Sequence, residues 1–148
     1  MSFAECFGHS ANSGSPVVAT GINGGGGGGH IHVRHLSIEQ SVSVVEWGIL
    51  QRQESLRTLI INSRVNFYLP GDWLSCFSSL RVLCIWFADF NRLVPSLSML
   101  KHLRYLHLEE TDISWLPDDI QKMKFLRYIS LGNCKKLCYL PSIASKVS

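Results

Sequence analysis

The chain has 148 residues and a formal net charge of +3, with 46% hydrophobic and 17% charged residues. This length and hydrophobic content suit one folded domain and exclude a wholly disordered chain. The charge is too small to indicate nucleic-acid binding by itself, and no apolar run approaches the roughly 18 residues of a membrane-spanning helix. We therefore expect neither a nucleic-acid partner nor a membrane partner.

Residues 1–30 are rich in Ser, Asn, Pro and Gly and include six consecutive glycines, at positions 24–29. Because glycine has no side chain to bury and loses the most conformational entropy on ordering, we expect a disordered tail here. A phosphate-binding P-loop needs a lysine after its glycines, whereas His30 stands in that place. We therefore expect no nucleotide site and no cofactor.

Three histidines, His30, His32 and His35, follow the glycines. In a strand, positions 30 and 32 share one face while position 35 points to the other, and no carboxylate or thiolate stands at ligand spacing. We therefore expect exposed histidines and no metal site. The five cysteines are odd in number and contain no C-x-x-C pair, which favours reduced thiols in an intracellular protein.

From residue 31 onward the chain repeats an L-x-x-L-x-L motif. Intervals of 23, 24, 23 and 23 residues separate its five units. A fixed period of this length is the signature of leucine-rich repeats, in which each unit adds one strand to a curved parallel sheet. We predict an α/β leucine-rich-repeat solenoid over residues 31–148, with about five repeats and short helical or irregular convex segments. The units begin at Val33, Leu56, Leu80, Leu103 and Leu126.

A leucine or valine followed by proline recurs in four of the repeats and marks a turn on the convex side. Proline has no N–H to donate and fixes φ, which suits a point where the chain changes direction. The apolar spacing after it, as in Ile120 to Met123, predicts a short helical turn packed on the core. Residues 39–55 lack this spacing, and we expect an irregular loop or a short helix near residues 44–50. The pairs are Leu69–Pro70, Val94–Pro95, Leu116–Pro117 and Leu140–Pro141.

Neither end of the repeat segment has an evident polar cap. Because a solenoid buries each repeat only against its neighbours, we expect apolar residues of the last repeat to face solvent on one side. We therefore interpret the repeat domain as truncated at its C-terminus. The residues expected to be uncovered are Leu126, Ile129, Leu131, Leu137 and Leu140.

The residues between the leucines of each predicted strand line the concave face of the sheet. They change in chemistry from repeat to repeat and mix aromatic with polar side chains, which suits the binding of a protein. A solvated sheet face without a fixed ligand explains the pattern equally well. The candidate binding residues are His35, Thr58, Ile60, Asn62, Val82, Cys84, Trp86, Tyr105, His107, Glu109, Tyr128 and Ser130.

Charged residues also follow the repeat. An arginine occupies the second position of each motif, and we expect a row of arginines whose aliphatic stems pack at the strand edge, with an acidic partner as the alternative. An acidic patch in the fourth repeat is expected to meet Lys122, Lys124 or Arg127. The arginines are Arg34, Arg57, Arg81, Arg104 and Arg127, and the patch comprises Glu109, Glu110, Asp112, Asp118 and Asp119.

Catalytic motifs such as G-x-S-x-G and H-E-x-x-H do not occur in the sequence. Cys134 stands at a turn position where a side chain hydrogen-bonds the stacked turns, and Thr111 holds the same place one repeat earlier. We expect both to be structural and expect no enzymatic activity. An enzyme that uses the histidine cluster as a metal site is the alternative.

The phrases RHLSI at 34–38, LKHLRYLHL at 100–108, TDISWLP at 111–117 and LGNCKKLCYLP at 131–141 resemble plant intracellular immune receptors. These are the nucleotide-binding leucine-rich-repeat disease-resistance proteins of the coiled-coil type. The resemblance covers about residues 31–141. It implies a cytoplasmic repeat region that binds a pathogen effector, a guarded host protein or the receptor's own nucleotide-binding domain, which it restrains.

Two features limit what this resemblance implies. The family's P-loop domain has no counterpart in this sequence, so nucleotide binding and signalling are not carried over. The spacing L-P-x-x-I-x-x-M-x-x-L also resembles Ras-group repeat proteins, and an independent intracellular scaffold is the alternative. The irregular stretch at 39–55 favours the receptor, as does the absence of the G-x-I-P turn typical of secreted repeats.

Overall fold

The computed structural model describes residues 17–20, 33–39, 54–62, 72–87, 91 and 94–142. Their strands form one sheet in which each strand lies beside the next in the chain. The five strands β2 to β6 are parallel, which confirms the predicted leucine-rich-repeat solenoid. The strands are β1 (Val17–Thr20), β2 (His35–Glu39), β3 (Thr58–Asn62), β4 (Val82–Trp86), β5 (Tyr105–Glu109) and β6 (Tyr128–Gly132).

All five parallel strands share one register, so equivalent residues of successive repeats lie side by side. The leucine or isoleucine at the second strand position is buried in every repeat and forms a continuous row. The near-constant period produces this register, because each convex segment returns the chain to the same level of the sheet. Burial of each such side chain stabilises the fold by about 1.5–3 kcal/mol. The row comprises Leu36, Leu59, Leu83, Leu106 and Ile129.

Short helices connect the strands on the convex side. They are the 3-10 helix Trp73–Cys76, the α-helix α1 (Val94–Leu97) and the 3-10 helix Asp118–Lys122. The last of these contains Ile120, which is buried and confirms the predicted helical turn. Each helix in the described ranges has at most five residues, which is too short to cross a membrane.

Backbone hydrogen bonds join the repeats beyond the ends of the strands. The residues directly after β4, β5 and β6 have φ values of 59°, 50° and 51°, in the left-handed region. This conformation turns the chain out of the strand while its N–H still bonds the next repeat. The amide of Phe87 donates to the Glu109 carbonyl at 3.1 Å, and that of Glu110 donates to the Gly132 carbonyl at 2.9 Å.

Polar side chains hold the convex turns together. The side-chain oxygen of Asn91 accepts hydrogen bonds from the backbone amide and the hydroxyl of Ser114, at 3.0 and 2.9 Å. Its amide nitrogen donates to the Asp112 carbonyl at 2.5 Å. One repeat later, the amide of Cys138 donates to the Ser114 carbonyl at 3.0 Å. These bonds satisfy polar groups that the turn would otherwise bury without partners.

Cys134 and Thr111 contact each other, as their shared place in the repeat predicts. The Thr111 hydroxyl and the Cys134 sulfur are 3.3 Å apart, and Thr111 is buried. The same sulfur lies 3.6 Å from the Leu108 carbonyl and 3.4 Å from the Gly132 carbonyl. The pair therefore links two stacked turns.

Strand β1 differs from the disordered tail expected over residues 1–30. Residues 17–20 pair antiparallel with β2, in the register that sets Val17 opposite Ile38 and Thr20 opposite His35. Three of these four residues are β-branched and suit a strand, and β2 offers them an edge to pair with. The remainder of the predicted tail, and the loop predicted near 44–50, lie outside the described residues.

The last repeat is better covered than its sequence suggests. Leu126 and Ile129 are buried, contrary to expectation, because the fourth repeat packs against them. Leu131 and Leu137 are half-buried against the core. Leu140 is 44% exposed, as expected.

Replacing a residue of the central row should destabilise the solenoid. Leu106→Ala leaves a cavity between β4 and β6, and we expect it to lower the free energy of unfolding by about 2–5 kcal/mol. Urea unfolding followed by circular dichroism measures this loss. Lys124→Ala, at an exposed position, is the control, and an equal loss in both variants would contradict the assigned core.

The side chain of Asn91 should matter more than that of an asparagine on the sheet. Asn91→Ala removes three hydrogen bonds between turns, and we expect a loss of about 1–3 kcal/mol of stability. Asn62→Ala makes the same change on the concave face and should cost less than about 0.5 kcal/mol. Equal unfolding midpoints for the two variants would show that the turn contacts do not support the fold.

Candidate protein-binding face

The concave face consists of three rows that run across the strands at equal register. The structure confirms the predicted alignment of these positions from repeat to repeat. The first row is His35, Thr58, Val82, Tyr105 and Tyr128; the second is Ser37, Ile60, Cys84, His107 and Ser130; the third is Glu39, Asn62, Trp86, Glu109 and Gly132.

Two of the candidate residues are not available on this face. Thr58 and Cys84 are buried, with 8% and 1% of their surface exposed. Burial also raises the pKa of the Cys84 thiol to about 12, so the group stays protonated at neutral pH. The other ten candidates are half-buried, with part of each residue open to solvent. Their role in binding remains a prediction.

Two tyrosines from neighbouring repeats form a stacked pair. The rings of Tyr105 and Tyr128 lie 4.6 Å apart at an angle of 8°. The parallel register places the two residues side by side, and the strand spacing of about 4.8 Å matches the distance between stacked rings. The pKa of the Tyr105 phenol is raised to about 12, first by burial and then by the neighbouring Tyr128. The pair therefore presents a neutral aromatic surface.

A second cluster lies at the carboxyl ends of β4, β5 and β6. The ring of Trp86 packs on the imidazole of His107 at 4.8 Å. Nε2 of His107 lies 3.6 Å from Oε2 of Glu109, and the side-chain amide of Asn133 donates to Oε1 of Glu109 at 3.0 Å. Aromatic rings and one oriented carboxylate thus occupy the same part of the concave face.

Asn133 and Gly132 take part in this cluster although neither was among the predicted site residues. Asn133 follows β6 and reaches back across the repeat boundary to hold the Glu109 carboxylate. A Cβ atom at Gly132 would overlap that carboxylate, so the absence of a side chain makes room for it. The one available signal was the register, which sets Gly132 opposite Glu109.

No protein-family model matches the chain. A probable disease resistance protein of Arabidopsis thaliana is 32% identical over 94 residues, which is 63% of this chain and 12% of that relative. The disease resistance protein UNI of the same plant is 31% identical over 94 residues, 63% of this chain and 11% of its own length. A probable disease resistance RPP8-like protein is 26% identical over 117 residues, 77% of this chain and 13% of its own length.

The chain is a relative of plant disease resistance proteins. These matches confirm the resemblance found in the repeat motifs. The chain spans between 10% and 13% of the length of each of these relatives. In this relative of disease resistance proteins, the similarity therefore bears on the repeat segment alone.

Charged side chains at the edges of the sheet pair only in part. Lys122 bonds Asp119 at 2.7 Å, as predicted, whereas Asp112 pairs with Lys136 at 3.0 Å instead. Asp118 accepts a hydrogen bond from the Tyr139 hydroxyl at 2.7 Å. The backbones of the five arginines form the expected row, as in the bond of 2.8 Å from the Arg57 amide to the Arg34 carbonyl.

The histidine cluster can be judged at one position only. His35 lies in β2, and His30 and His32 lie outside the described residues. Across the ranges that the structure describes, no three His, Cys, Asp or Glu side chains come together as metal ligands. The cysteines resolved there, at positions 76, 84, 134 and 138, form no disulfide.

His107 should make stability depend on pH. Burial lowers its pKa below the usual 6.5, and the Glu109 carboxylate opposes this shift without cancelling it. Between the folded and unfolded pKa values the unfolded chain binds more protons, so this group destabilises the fold as the pH falls through about 6.5. The wild-type free energy of unfolding should therefore fall more steeply than that of His107→Gln between about pH 7.5 and 5.5. Urea titrations across this range measure both, and a steeper fall in the variant would contradict the assignment.

Proposed function

We propose that this chain is a non-enzymatic protein-binding module in plant defence, and that its concave face is the binding surface. The partner is a pathogen effector, a guarded host protein or the nucleotide-binding domain of the same receptor. This places the module in the cytoplasm.

The observation that carries this proposal is the concentration of half-buried aromatic rings on one face of β4 to β6. Trp86, Tyr105 and Tyr128 come from three successive repeats and are held at fixed positions by the sheet. Aromatic side chains bury a large area at a small loss of conformational entropy, and they are enriched among the residues that dominate binding energy. The inward-facing residues between them stay apolar and buried, so the face can vary without loss of the core.

The relatives favour a role in defence over an independent scaffold. Each of the three described above is named for disease resistance. A leucine-rich-repeat scaffold requires no such similarity. The absence of catalytic motifs in the sequence supports a binding role without an associated reaction.

The proposal can be tested by photo-crosslinking from the concave face. The photoreactive analogue benzoylphenylalanine replaces Tyr128 in the full chain, which is expressed in plant leaf cells and irradiated before and after pathogen challenge. Phe125 is the matched control, because it is an aromatic residue of the same repeat that lies outside the sheet and is 46% exposed. We expect a defined protein to crosslink from position 128 and not from position 125.

The partner found in this way must then bind the purified chain through the same face. We expect Tyr105→Ala to weaken the measured affinity by at least about tenfold, since buried aromatic residues commonly contribute this much at interfaces. Phe125→Ala should leave the affinity unchanged. Equal crosslinking from both positions, or equal affinity of both variants, would contradict binding by the concave face.

A further inference from the structure

Glu109 is the one charged side chain at the described surface positions of β3 to β6, where the other residues are aromatic, apolar or neutral and polar. We propose that Glu109 anchors a subsite for a basic side chain, preferentially arginine, of the bound protein partner. This inference rests on the proposed function, because it assigns partner chemistry to the same concave face.

The carboxylate of Glu109 is fixed before any partner arrives. Asn133 donates to Oε1 and the His107 ring lies beside Oε2, while about a quarter of the Glu109 side chain remains exposed. A carboxylate has about four lone-pair sites, so accepting from Asn133 leaves acceptor sites for a partner. A group held in this way loses little conformational entropy on binding, which favours a directional bond to a guanidinium.

The negative charge of Glu109 is not neutralised within the described part of the chain. No lysine or arginine there pairs with it, and its one ionisable contact is His107. Burial lowers the pKa of His107 below 6.5, so the imidazole is predominantly neutral at pH 7. The two side chains together carry a net charge of about −1, which a basic side chain of the partner complements.

Aromatic rings surround the charge and favour arginine over lysine. Trp86 lies beside Glu109 in the register, and its ring packs on His107. The stacked pair of Tyr105 and Tyr128 begins at the other end of the same strands. A guanidinium can stack on such faces and bond a carboxylate at the same time, whereas an ammonium group is a strongly hydrated point charge.

Gly132 determines where the carboxylate can lie. A Cβ atom at this position would overlap Oε2 of Glu109, so Gly132→Ala must displace the carboxylate from its place. The φ values outside the usual range fall at other residues, so alanine introduces no backbone strain here. This variant therefore disturbs the position of the charge without removing it.

The test uses a displayed library of short peptides, selected on the purified full chain and counter-selected on the Tyr105→Ala variant. Peptides that need the concave face are then synthesised with each basic residue in turn replaced by a neutral isostere, citrulline for arginine. Affinities are measured for the wild type, Glu109→Gln and Gly132→Ala. Glu110→Gln is the control, because Glu110 is the exposed neighbour of Glu109 in the chain.

We expect the selected peptides to carry an arginine or a lysine. Glu109→Gln and the citrulline peptide should each weaken binding by about 10- to 100-fold, and the two changes together should cost no more than either alone. Gly132→Ala should also weaken binding, and Glu110→Gln should not. Selection of face-dependent peptides that are indifferent to Glu109→Gln would overturn the subsite and leave the proposed function standing. Failure to select any peptide that depends on the face would contradict both.

Discussion

Every part of this structure depends on the equal register of its five parallel strands. A parallel strand leaves its N–H and C=O groups unpaired unless the next repeat presents a strand at the same level, and unpaired buried groups are costly. The convex segment must therefore return the chain by a fixed length, which the intervals of 23 and 24 residues provide. The hydrogen bonds made by Phe87 and Glu110 extend the same alignment past the strand ends.

The register also decides which side chains meet on the concave face. Tyr105 and Tyr128 are 23 residues apart in the chain, yet they stack because the sheet places them side by side. In the same way, Gly132 lies opposite Glu109 and leaves room for its carboxylate. Adjacent repeats therefore act as pairs, and a substitution in one repeat changes the surroundings of its neighbour. The chemistry of this face belongs to the stack and not to single repeats.

The periodic part of the fold could be predicted from the sequence because it repeats: the strands, their register and the buried row all follow from one spacing. Features that occur once could not. The burial of Cys84 depends on the sizes of its neighbours across the sheet, and β1 depends on an available edge at β2. Asn133 is one of many polar turn residues, and its bond to Glu109 follows from the left-handed backbone after β6. Phe87 adopts that backbone without the glycine that would have signalled it.

A single carboxylate among neutral and aromatic groups favours selectivity over affinity. A partner that covers Glu109 without a basic group removes water from the carboxylate and offers no ion in return, which costs more than most neutral contacts restore. A partner with a correctly placed arginine avoids this cost and adds a charge-assisted bond. The proposed subsite therefore rejects incorrect partners as effectively as it attracts the correct one. Because Glu109 points away from the buried row, this selectivity can change by substitution while the core of the solenoid stays intact.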